Sequence, residues 1–205
     1  MKAPLRSYDQ LKTDLSFTHN LPVTADWSAA ADFLFLIKDH CLAMKPANIM
    51  ECSSGLTTLI LARCCQLNGG GKVFSLENGK EFAQQTEENL SRFGLEAYAD
   101  VIHAPLEEVI INSEVYKWYE IKNLPDIDID MLVIDGPPGF IQKHSRLPAL
   151  PLLFNRLLDG SQVFLDDAGR DEEKEITGRW LATMAGLKHE YIETERGCSV
   201  LSVKK

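Results

Sequence analysis

Asn48-Ile-Met-Glu-Cys-Ser-Ser-Gly-Leu-Thr-Thr58 opens with a short apolar run that ends in an acid and passes through small polar residues. A helical apolar pattern follows over Leu56–Leu67 and stops at Asn68-Gly-Gly-Gly71. A second apolar run, Lys72–Glu77, again ends in an acid. Strand, helix, strand with so short a return reads as a parallel crossover unit. The same alternation continues along the chain. Ala29–Met44 and Glu81–Phe93 have helical spacing, and Gly94 is placed to stop the latter. Asp100–Ala104 and Met131–Asp135 read as strands, the latter closed by Gly136-Pro-Pro-Gly139. Leu147–Leu158 reads as a helix, Asp159-Gly160 as a turn and Gln162–Asp166 as a fifth strand. Asp171–Met184 is a helix whose first turn is rich in acids. His189–Glu193 and Cys198–Val203 lie too close together for a parallel crossover, so they pair antiparallel. These readings predict a mostly parallel seven-stranded sheet, helices on both faces and an antiparallel C-terminal hairpin.

The 205 residues suit one compact domain, 28–205, behind an N-terminal extension, 1–27. Apolar residues make up 45% and charged residues 25%, an ordinary globular balance that argues against disorder. Thirty acids against 21 bases give a net charge of −9, the wrong sign for a general nucleic-acid binder. No apolar run is long enough to cross a bilayer, and the polar N-terminus lacks a secretory core, so no membrane partner is expected. Five cysteines without a Cys-x-x-Cys pair predict reduced thiols and a cytoplasmic protein. The size is compatible with a homodimer, though no feature requires one.

In an open α/β sheet, ligands bind beyond the carboxyl ends of the strands. Those ends carry Glu51, Glu77, Asp135 and the pair Asp166-Asp167. Singly, such acids also serve as turn and cap residues. The turn Glu51–Thr58 is neither a Gly-x-Gly-x-x-Gly fingerprint nor a phosphate loop, because Ser53 replaces the first glycine and no Gly-Lys-Ser/Thr follows. Small residues there still let a ligand approach the helix N-terminus. Glu77, at the end of the second strand, is placed to accept hydrogen bonds from ribose hydroxyls. Gly69-Gly-Gly71 lies at the opposite edge and reads as a turn.

Glu51-x-Ser-x-Gly55, Glu77, the Asp135 strand end and the final antiparallel pair resemble a class I S-adenosylmethionine-dependent methyltransferase. The similarity spans about Trp27 to Val203. It is closest to a group of small bacterial methyltransferase-like proteins, through Ile134-Asp-Gly-Pro-Pro-Gly139, Arg146-Leu-Pro-Ala-Leu150 and Asp166-Asp-Ala-Gly-Arg170. The resemblance implies a Rossmann-like three-layer sandwich. It implies that Glu51, Cys52, Ser53, Ser54 and Gly55 border the methionine part of the cofactor and that Glu77 holds the ribose. Asn78 then flanks the adenine, Ala104, Pro105 and Leu106 wall it, and Asp135 lies near the methionine end and the acceptor. Ser53 departs from the more usual glycine and would crowd the methionine moiety.

The expected reaction is methyl transfer to an oxygen of a small molecule or glycan. An in-line displacement needs alignment above all. A hydroxyl acceptor must also lose a proton, which a divalent cation facilitates. Asp135, Asp166 and Asp167 are hard oxygen ligands of the kind Mg²⁺ or Mn²⁺ takes, and their placement is similar to that in catechol-type O-methyltransferases, where the second pair is Asp-Asn. The competing reading has Asp166 and Asp167 capping the following loop or pairing with Arg146, Arg170 or Arg179. His144 is a candidate general base, and Arg146 is a candidate anion-binding group or a structural partner of a strand-end acid. Trp118 and Tyr119 fit either an acceptor wall or the core, Trp27 fits a cofactor cover, and Trp180 fits the core. Two other classes stay open on the sequence alone: a nicotinamide-dependent oxidoreductase, and a non-catalytic binding module on the same fold.

Overall fold

The computed structural model describes residues 6–205. Of the extension 1–27, residues 1–5 thus lie outside the described part. Among the described residues, nine strands and six helices follow one another: α1 Tyr8–Asp14, α2 Ala31–Met44, β1 Asn48–Cys52, α3 Leu56–Asn68, β2 Lys72–Glu77, α4 Lys80–Phe93, β3 Ala99–His103, β4 Leu106–Ile111, β5 Glu114–Tyr119, β6 Ile129–Ile134, α5 Ala149–Leu153, β7 Leu157–Leu165, α6 Asp171–Thr183, β8 Leu187–Ile192 and β9 Cys198–Val203. Seven strands form one sheet in the order β3-β2-β1-β6-β7-β9-β8. β3, β2, β1, β6 and β7 pair in parallel. β9 inserts antiparallel between β7 and β8, so it alone runs against the rest.

Both faces of this sheet are covered, which explains its near-continuous apolar strands. On one face Ile49, Val73, Met131 and Val133 pack under α1, α2, α3 and α4. Their neighbours Met50, Leu76, Leu132 and Ile134 point the other way, toward α5, α6 and the β4–β5 hairpin. Leu11, Leu15 and Phe17, all within the extension, are buried in the first of these cores. Gly71 lies where β2 passes the end of α2; with φ +92°, a Cβ there would meet the Pro46 carbonyl oxygen at 2.5 Å. That close approach makes the triple glycine a structural turn.

Two stretches differ from the sequence reading. Between β3 and β6, a long connection given no element from the sequence holds the two-stranded hairpin β4–β5, turned by Asn112 and Ser113 with φ of 49° and 70°. Two consecutive left-handed residues give the tight turn that matches strand twist. The helix expected over Leu147–Leu158 is only α5 and one 3₁₀ turn, Phe154–Arg156. Pro151 sits inside α5, where it can donate no hydrogen bond, and Leu157 already pairs with Ile129 of β6. Asp159-Gly160, read as a turn, lies inside β7 across a register shift, with Gly160 at φ +84°. Among the described residues no helix is long and apolar enough to cross a membrane. All five cysteines are buried free thiols.

Candidate active site

The turn after β1 is built from backbone and small side chains. Ser53 N–H donates to the Leu76 carbonyl (2.9 Å), tying the turn to β2. The Gly55 N–H donates to Thr58 Oγ1 (3.0 Å) at the start of α3. Ser53 has φ +90°, a conformation that favours glycine, so its side chain is held at a cost. The same crowding reaches the next loop: a Cβ at Gly136 would lie 2.5 Å from Tyr119 Oη and 2.8 Å from Ser53 Cβ.

Glu77 is nearly buried at the end of β2. Its Oε2 accepts from Ser54 N–H (3.0 Å) and Ser54 Oγ (3.1 Å), and its Oε1 accepts from Gly79 N–H (2.9 Å). Neutral donors thus fix the carboxylate without a counter-charge, leaving lone pairs for hydroxyl donors. Asn78 is half-buried beside it, Ala104 is buried, Pro105 is exposed and Leu106 is half-buried. The Ala104 N–H bonds the Glu77 carbonyl (2.8 Å), which puts the ends of β2 and β3 side by side.

Beyond the ends of β1, β6 and β7 opens a cavity of about 600 Å³. Its wall includes Ser53, Asp135, Arg146 and Asp167, together with Trp27, Phe140, Arg170, Glu173 and Arg196. Trp27, 61% exposed, stands over its mouth between Phe82, nearly parallel at 6.5 Å, and Phe140, edge-on at 6.2 Å. Glu77, Asn78 and Ala104–Leu106 do not line this cavity; they sit at the neighbouring strand ends.

Arg146 is the centre of the cavity floor and is only 3% exposed. Its Nη2 donates to the Asp135 carbonyl (2.8 Å), Asp135 Oδ1 (3.2 Å) and Asp167 Oδ2 (2.8 Å). Its Nη1 donates to the Asp166 carbonyl (2.9 Å) and lies 3.7 Å from Glu173 Oε1. Arg170 reaches Asp167 Oδ2 from outside at 2.8 Å. Burial alone would lower the Arg146 pKa, but Asp135, Asp167, Glu173 and Asp166 together hold it above the usual guanidinium value. Burial pushes the Asp166 carboxyl well up, with Asp135 and Asp167 adding to it. Burial also raises Asp135, against the pull of Arg146.

Asp135, Asp166 and Asp167 do come together: one oxygen of each lies within 4.8 Å of the others. The donor set nevertheless does not fit a divalent ion, because the Arg146 guanidinium already bonds Asp135 Oδ1 and Asp167 Oδ2. A dication on the same oxygens would face that fixed positive charge at close range.

Other expectations are corrected by the geometry. His144 does not line the cavity; its Nε2 lies 2.6 Å from Glu175 on α6, with Arg179 at 3.5 Å from Nδ1. The loop turns there with His144 at φ 56°, which carries the ring outward. Arg179 pairs with Glu114 of the hairpin, not with the strand-end acids. Glu51 does not border the cavity but is fully buried under α3, where Thr58 Oγ1 donates to its Oε2 at 2.6 Å. Burial, opposed by hydrogen bonds from Thr57, Thr58 and Ser75, pushes its carboxyl up to about 7. The Cys52 side chain is also fully buried, and its backbone carbonyl accepts from Asp135 N–H (3.1 Å). Alternation along β1 sends successive side chains into opposite cores, so only residues past the strand end reach the cleft. Trp118, Tyr119 and Trp180 are core residues. Phe82, Phe140, Glu173 and Arg196 were not singled out from the sequence. The acid-rich start of α6 pointed to Glu173, but nothing in the sequence marked the other three.

A family model described as a methyltransferase domain matches residues 52–168, more than half of the chain. The fold is similar to the O-methyltransferase TomG of Streptomyces achromogenes, involved in tomaymycin synthesis and solved with S-adenosylmethionine. The two share 14% identity and a TM-score of 0.67 over 96% of this chain and 87% of that one. An O-methyltransferase of Bacillus cereus, in complex with S-adenosylhomocysteine, gives 18% identity and a TM-score of 0.66 over 96% and 90% of the two chains. The methyltransferase PaMTH1 of Podospora anserina, also bound to S-adenosylhomocysteine, gives 12% and 0.69 over 97% and 86%. No curated protein matches the sequence. With the matched segment running from the last residue of β1 through the acidic pair after β7, the chain belongs to the methyltransferase-domain family.

Proposed function

We propose that this protein is an S-adenosylmethionine-dependent O-methyltransferase acting on a small molecule or glycan. The observation that carries this reading is the Glu77 carboxylate, fixed by Ser54 and Gly79 donors at the end of β2, next to the Ser53–Gly55 turn. A carboxylate held by neutral donors suits the paired hydroxyls of a ribose. The amides at the start of α3 suit a carboxylate. The cavity beyond β6 and β7 then receives the acceptor, with Asp135 on its wall and Trp27 and Phe140 at its mouth. The oxygen preference is supported by two fold neighbours that are O-methyltransferases.

In this reading the chain's contribution is placement. Glu77 and the α3 turn anchor the cofactor. Asp135 faces the acceptor. The aromatic rim limits water at the reacting centre, and alignment of nucleophile with the methyl carbon can supply up to roughly 7–11 kcal/mol. We place the protein in the cytoplasm, which its five unpaired cysteines favour.

The test is transfer of a labelled methyl group from S-adenosylmethionine to a panel of phenols, sugars and amines of similar size. Turnover on hydroxyl compounds is expected. Turnover confined to amines would overturn the oxygen preference and leave the cofactor assignment standing.

A further inference from the structure

We infer that Arg146 is the fixed cation of this site, occupying among Asp135, Asp166 and Asp167 the position that a divalent metal would need, so that the protein works without one. The inference rests on the methyltransferase reading above, but it is read from this chain's own charges.

Four carboxylates converge here: Asp135, Asp166, Asp167 and Glu173. Such a cluster repels itself unless a cation or protons neutralise it. A guanidinium is suited to the task because it stays charged and presents several donors in one plane. Arg146 uses both terminal nitrogens, with its Nε left unpaired among the described residues: one nitrogen spans Asp135 and Asp167, and the other faces the Asp166 carbonyl and Glu173. Its position is set by hydrogen bonds of the residues on either side of it. The Ser145 hydroxyl bonds the Pro137 carbonyl (2.9 Å), and Trp180 Nε1 bonds the Leu147 carbonyl (2.9 Å), so the residues flanking Arg146 are pinned to the β6 loop and to α6.

Three buried oxygens of the cluster, Asp166 Oδ2, Asp167 Oδ1 and Glu173 Oε2, have no hydrogen-bond partner among the described residues. With Arg146 in place, they are left beside a charge already bound. With Arg146 removed, they and the freed oxygens of Asp135 and Asp167 form an all-carboxylate set of the kind Mn²⁺ takes. The sequence carries both readings, a metal site on the acids or their pairing with Arg146, 20 residues before Asp166, and the fold puts the guanidinium in their midst.

The test uses Mn²⁺ as the probe, read by electron paramagnetic resonance and by melting temperature, on the wild type, Arg146→Met and Asp167→Asn. The wild type is expected to bind no Mn²⁺ up to millimolar concentrations. Its affinity for S-adenosylhomocysteine is expected to be the same with and without a chelator. Arg146→Met is expected to melt lower and to bind Mn²⁺ at least about tenfold more tightly than the wild type, with Mn²⁺ restoring part of the lost melting temperature. Micromolar Mn²⁺ binding by the wild type that disappears in Asp167→Asn overturns the inference. So does an Arg146→Met protein that melts like the wild type with or without Mn²⁺. If that variant does not fold, the wild-type titration decides alone. Failure of S-adenosylhomocysteine to bind at all would instead strike the methyltransferase reading, which the Mn²⁺ data do not touch.

Discussion

Two groups of acids stand at the carboxyl ends of neighbouring strands of one sheet, and the fold treats them differently. At the end of β2, Glu77 is held by a serine and two backbone amides, with no positive group in its hydrogen-bond set. At the ends of β6 and β7, Asp135, Asp166 and Asp167 surround a buried guanidinium. The first arrangement leaves spare acceptor capacity, which is what a neutral polyol requires. The second spends its charge internally and fixes the shape of the acceptor side. One kind of residue therefore serves two purposes, and the donors around it decide which.

The largest expected effect breaks the second arrangement. Arg146→Met leaves several buried carboxylates without their cation, which costs about 3–5 kcal/mol of stability. Chemical denaturation at neutral pH checks the size. Part of the loss should return as pH falls and the carboxyls protonate; a loss that stayed constant with pH would mean that packing, not charge, is what Arg146 supplies. Next in size is the first arrangement. Glu77→Ala removes a charged acceptor and is expected to weaken S-adenosylhomocysteine binding about 100-fold while leaving the fold intact, as calorimetry and circular dichroism would show together.

A third change sharpens the contrast with an acid that is only partly satisfied. Glu51 is buried, and its Oε1 has no partner among the described residues. Its folded-state value of about 7 exceeds the ordinary 4.5, so the folded protein holds its proton more tightly than the unfolded chain. The stability it contributes is complete at low pH and is lost as pH rises through about 7. Glu51→Gln is expected to raise stability at pH 8 by on the order of 1–3 kcal/mol and to change little at pH 4, in paired urea titrations. The smallest effect concerns Ser53. Glycine at this φ of +90° is expected to gain about 1 kcal/mol and to tighten cofactor binding slightly; a less stable Ser53→Gly would show that the serine side chain earns its place.

Much of this was legible in the sequence. Strands β1, β2 and β6 end where acids, glycines and prolines say they should, because both faces of the sheet demand apolar runs and the ends do not. The convergence of Asp135, Asp166 and Asp167 was legible too, since parallel strands deliver their carboxyl ends to one edge. What the sequence did not show was direction. Alternation buries Glu51 and Cys52 although they adjoin the cleft in sequence. A left-handed turn at His144 sends that ring to α6 while Arg146, two residues on, points inward. The hairpin β4–β5 was readable in principle from Asn112-Ser113 between two β-rich runs, a two-residue turn signal. The rim of Trp27, Phe82 and Phe140 was not, because three distant segments meet there only through the fold.

The most direct measurement is calorimetric titration of the intact protein with S-adenosylhomocysteine in the presence of a chelator. One site per chain with micromolar affinity is the expected result, since the Glu77 end is preformed and the Arg146 end needs no added ion. Absence of binding, or binding that appears only when Mg²⁺ is restored, would contradict the account.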